Sequence, residues 1–100
     1  MDPDLPDFMI ADVVRPTAGR EAGGLYYVVG LDAEYILLAN GKDRSLEKPK
    51  RKKRKHAEKV LRSDTRIAER LCSGEKVLDS ELRRDLAYLS REMQSKATGG

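Results

Sequence analysis

One hundred residues with 39% hydrophobic content allow one small domain with an appendage and leave no room for two full domains. The single cysteine, Cys72, excludes an intramolecular disulfide and a multi-cysteine zinc site, and suits a reducing compartment. The formal net charge of +3 conceals an asymmetry: residues 1–41 hold two basic and seven acidic side chains, residues 42–62 hold eleven and three, and residues 63–100 hold seven of each.

The opening MDPDLPD is acidic and proline-bearing, and residues 1–8 are read as a disordered acidic leader. MIADVVR (9–15) is rich in β formers and predicts a strand that Pro16 ends. TAGREAGG (17–24) has three glycines in eight residues, which predicts a structured turn. LYYVVGL (25–31) and YILLA (35–39) read as strands on either side of a short turn at Asp32-Ala33-Glu34. Asn40-Gly41 is a strong hairpin signal of the type I′ kind and predicts a returning strand over 42–46. Four short strands with tight connections suggest a small barrel or a strongly bent meander.

Pro49 breaks the ladder inside KPKRKKRK (48–55), where seven of eight residues are cationic. Adjacent cations repel, and an anionic partner relieves that cost. Nucleic acid is the partner such clusters favour. Membrane attachment is not expected, since a polybasic anchor needs an acyl chain or an apolar helix face beside it. Met1-Asp2 is no myristoylation start and the last residues are no prenylation motif. No apolar run is long enough for a signal peptide or a membrane span, so a cytoplasmic protein is expected.

Residues 58–96 change character and read as a helical extension of two short helices. Ser63 or Asp64 is the expected cap of the first, whose apolar positions are Ile67, Ala68, Leu71 and Cys72, with Gly74 just past its end. Asp79 or Ser80 is the expected cap of the second, with Glu81 in its first turn. Leu82, Leu86, Leu89 and Met93 form one apolar stripe. The stripe either packs on the chain's own core or docks a protein partner, and the first reading is preferred.

The ordered set Ala18-Gly19-Arg20, Gly23, Val28-Val29, Asp32 and Lys55-His56 after the basic stretch resembles the KOW-domain RNA-binding proteins of bacteria. These are similar in turn to a KOW-containing large-subunit ribosomal protein of archaea and eukaryotes. The resemblance covers residues 9–57 and implies an SH3-like β-barrel that includes the basic segment 48–55. It also implies a KOW loop that touches RNA beside that segment. Ala11-Asp12 stands where such domains often have glycine and a basic or polar residue.

The expected function is RNA binding, to structured and ribosomal RNA of the large subunit, in translation. The expected contacts are Arg20, Lys48, Lys50, Arg51, Lys52, Lys53, Arg54, Lys55 and His56 on phosphates, with the backbone of Gly19 and Gly23 approaching closely. Tyr26, Tyr27 and Tyr35 are possible stacking platforms, although alternation lets at most one of the first two face RNA. The alternative is a protein-interaction adaptor for the transcription or translation machinery that works through the C-terminal helices. One histidine, no nucleophile context and no G-x-x-x-x-G-K-[ST] motif argue against an enzyme, and no cofactor, metal or small-molecule substrate is expected.

Overall fold

The computed structural model describes residues 7–19 and 22–98, with side chains as far as Gln94. Its strands are β1 (Asp12–Pro16), β2 (Tyr26–Asp32), β3 (Tyr35–Ala39), β4 (Lys50–Lys53) and β5 (Ala57–Arg62). They form one antiparallel sheet in the order β4-β3-β2-β1-β5. A 3-10 turn, Arg54–His56, joins the two edge strands, and helices α1 (Arg66–Ser73) and α2 (Asp79–Thr98) follow. The helices hold 8 and 20 residues against strands of four to seven, so the chain is mixed α/β, not mainly β with two short helices.

The expected strand over 42–46 does not form. The basic run itself supplies β4, and residues 57–62, read as the start of the helical extension, supply β5. Long-range pairing decides this. Tyr35, Ile36, Leu37 and Leu38 stand opposite Lys53, Lys52, Arg51 and Lys50. Asn40 uses its side chain differently from a hairpin turn: Oδ1 accepts the amides of Lys42 (2.9 Å) and Arg44 (3.0 Å). Gly41 has φ +76°, and a Cβ there would lie 2.1 Å from the Asp79 carbonyl oxygen, so α2 approaches the backbone closely at this glycine. Asp79 Oδ1 accepts the Leu46 amide at 2.8 Å and fastens the loop to the start of α2.

The sheet is strongly curled. Only three residues separate the end of β4 from the start of β5, which spans at most about 14 Å. Four strand spacings in a flat sheet would need about 19 Å. Extra residues on β2, at Val29, and on β5, at Val60, bend the ladder further. β4 and β5 remain the two edges, so the sheet is curled without being closed by pairing.

Alternation along the strands sorts the core into two clusters. Val14, Tyr26, Val28, Ile36, Leu38 and Ala57 fill the inside of the curl together with Phe8. Phe8 is therefore a core residue at the end of the stretch read as a disordered leader, and residues 1–6 lie outside the described residues. Val13, Tyr27 and Ala39 face the other way and pack with Ala68, Leu82, Leu86 and Leu89 of the helices. Burying a leucine of this kind contributes about 1.5–3 kcal/mol.

A polar cluster ties the helices to the sheet. The buried Tyr27 hydroxyl donates to Asp85 Oδ2 and lies 2.8 Å from Ser63 Oγ. Thr65 Oγ1 donates to the same carboxylate at 2.9 Å and accepts the Ala68 amide at 3.2 Å. Thr65 is thus the cap of α1, and Ser63 is buried beside Tyr27. Gly74, at φ +78°, ends α1 as expected, with the Glu75 amide on the Arg70 carbonyl. At α2, Glu81 Oε1 accepts the Leu78 amide at 3.0 Å, so the capping contact starts one residue before Asp79.

Candidate nucleic-acid interface

The basic segment is an edge strand running into a 3-10 turn. Alternation on β4 turns Arg51 and Lys53 to solvent and half-buries Lys50 and Lys52. Lys48 and Lys55 are exposed at the two ends, while Arg54 and His56 are half-buried. Lys48 is set by a turn in which its amide donates to Ser45 Oγ at 3.1 Å. The Arg51 guanidinium lies 4.0 Å over the Tyr35 ring and 3.5 Å from Asp32 Oδ2, which holds it flat on the sheet surface. The Arg54 Nε is buried and has no hydrogen-bond partner among the described residues.

The glycine-rich loop meets this segment. Lys52 Nζ donates to the Ala18 carbonyl at 2.9 Å, and the Thr17 amide donates to the His56 carbonyl at 2.9 Å. Residues more than thirty positions apart therefore form one continuous surface. Gly19 and Gly23 take φ +85° and +91°, values that favour glycine. The Gly23 amide donates to the Pro16 carbonyl at 3.2 Å, so this N–H shapes the loop and is not offered to a phosphate. Arg20 lies outside the described residues.

Two tyrosines leave the list of stacking candidates. Tyr26 and Tyr27 point to opposite faces, and both faces are covered, by the inner core and by the helices. Tyr35 is half-buried at the rim under Arg51. Burial, followed by the bond to Asp85, holds the Tyr27 hydroxyl well above the ordinary tyrosine range near 10.

Asp12, an acid near the expected RNA face, is fully buried. Its oxygens lie 3.2 Å from Arg62 Nε and 3.4 Å from Lys59 Nζ, and it accepts the Met9 amide at 2.9 Å. Its charge is thus enclosed by two cations that sequence reasoning gave no role. The cross-strand pairing of Asp12 with Arg62 was the signal, and it is readable only once the register is known. Just before it, Ala11 has φ +74°, a conformation suited to glycine.

The helix stripe has an internal use. Leu82, Leu86 and Leu89 are buried against the sheet and α1, so the folded chain does not offer them to a partner; Met93 is half-buried. Among the described residues no three His, Cys, Asp or Glu side chains gather in a way that would hold a metal. No helix there is long and apolar enough to cross a membrane.

Neither known protein-family models nor curated protein sequences yield a match to this chain. Its chemistry must be read from its own residues. That chemistry is a patch of exposed cations on a sheet edge, joined on one side to a glycine-shaped loop.

Proposed function

We propose that the chain binds structured RNA, with ribosomal RNA of the large subunit as the target, through phosphate contacts made by β4, the 3-10 turn and loop 17–24. The observation that carries this reading is the seam of Lys52 to Ala18 and Thr17 to His56, which fixes the basic run and the loop as one surface. Arginines and lysines on such a surface contact phosphates and position the protein, with little selection among bases. A folded RNA is then recognised by its shape. On this reading the curled sheet is an SH3-like barrel of the KOW kind, supported by the strand order and the three-residue link between its edges. The protein acts in the cytoplasm, in translation, as a binding module without a catalytic role.

Four cations of the segment are exposed: Lys48, Arg51, Lys53 and Lys55. If each neutralises one phosphate, log K falls against log salt with a slope of about −3 to −4. A salt titration of binding to a labelled ribosomal RNA hairpin measures it. K53Q/K55Q should lower the slope by about 2 and weaken binding to all RNAs alike. A salt-independent affinity would sink the mechanism. Sedimentation of a lysate at low and high salt tests the target: the protein should travel with the large subunit at low salt and leave it at high salt.

A further inference from the structure

A groove of about 590 Å³ runs between residues 23–25 and α2. Arg15, Lys42 and Arg83 line it, and its lining holds no carboxylate among the described residues. Gly23 and Gly24 form one wall, and the half-buried Leu25 and Met93 give the floor its accessible apolar surface. Arg83 is anchored by Nη1, which donates to the Gly41 carbonyl at 3.2 Å. That partner is neutral, so the guanidinium keeps its full charge toward the groove. Among the described residues Arg15 and Lys42 have no ion-pair partner.

Three cations that meet no carboxylate among the described residues, set around an apolar floor, fit phosphates on the rim and the apolar face of a base on the floor. Loop 17–24 is also common to both surfaces. Its Ala18 carbonyl takes Lys52 from the β4 side, and its glycines wall the groove on the other. We propose that the groove binds an unpaired RNA strand that continues from the folded RNA held at β4, with Arg15, Lys42 and Arg83 on its phosphates and a base against the half-buried Leu25 and Met93. This rests on the RNA reading above and makes α2 part of the nucleic-acid surface.

The test uses the full chain and two labelled probes, an RNA stem–loop and the same stem–loop with an unpaired 3′ extension. The wild-type chain should bind the extended RNA severalfold more tightly. R15Q/K42Q/R83Q should lose that preference, with a salt slope on the extended probe lower by about 2, and should bind the plain stem–loop nearly as before. A87E, which puts a carboxylate at an exposed lining position on α2, should have the same effect and guards against a folding defect in the triple variant. Wild-type-like preference in both variants overturns the inference and leaves the RNA reading standing. A wild-type chain that binds neither probe overturns the RNA reading, and this inference with it.

Discussion

Tyr27→Phe removes one oxygen from the junction between sheet and helices. The hydroxyl is buried and donates to the Asp85 carboxylate, with Ser63 Oγ 2.8 Å away. A hydrogen bond to a charged group contributes about 1.5–3 kcal/mol. Thr65 Oγ1 still donates to Asp85 at 2.9 Å in the variant, so the carboxylate keeps one partner, and the lower part of that range applies. The expected loss is about 2 kcal/mol, or about 8–16 °C in Tm for a chain of this size. Thermal unfolding followed by circular dichroism measures it, with Tyr88→Phe at a half-exposed position as the control expected to change little. The pH dependence adds a second reading. The folded hydroxyl is held above its ordinary value near 10. Its contribution is complete below pH 10 and falls as pH rises beyond it, and Tyr27→Phe should lack that alkaline component. A Tm within a degree or two of the wild type, with an unchanged alkaline limb, would refute this account of the junction.

Three further outcomes follow from single positions. Glu81 is held below 4.5 by the Arg70 hydrogen bond first and the Leu78 amide second, so its contribution is present above pH 4.5 and is lost as pH falls through and below that value; Glu81→Gln should flatten the acid limb of stability against pH. Gly41→Ala should cost at least about 2 kcal/mol in denaturant unfolding, since it adds a left-handed penalty to a Cβ that meets the Asp79 carbonyl oxygen. Ala33→Gly, in the two-residue β2–β3 turn with φ +51°, should instead stabilise by about 0.5–1 kcal/mol in the same assay.

The hydrophobic strands were legible because their cause is local. YYVVGLD and YILLA are dense in β formers, and β1, β2 and β3 form within a few residues of where composition puts them. Strand β4 was not, because KRKK has no strand preference of its own and is extended by pairing with β3. Strand β5 was hidden in AEKVLR, a mixture that suits a helix equally well until Asp12–Pro16 claims it. At Asn40-Gly41 the expected type I′ hairpin does not form: Gly41 takes a positive φ but Asn40 does not, and the partners of this turn were hidden. Asp79 and Arg83 lie about forty positions away. The candidate interface divides the same way. The basic run shows in composition alone, whereas its seam with loop 17–24 and the enclosure of Asp12 are products of register.

The cations of β4 also govern how the chain meets copies of itself. An edge strand is a template for further pairing, and lysine on the edge is a common guard against it. Two β4 edges side by side would set four cations against four, about 4.8 Å apart, inside a screening length of about 10 Å at moderate salt. At about 1 M salt that length falls to about 3 Å, less than the strand spacing, and the repulsion fades. A bound polyanion also cancels the repulsion, but it covers the edge as it does so. Strong brine, by releasing the anion and screening the lysines together, leaves the edge bare, and sheet-to-sheet self-association belongs to that condition.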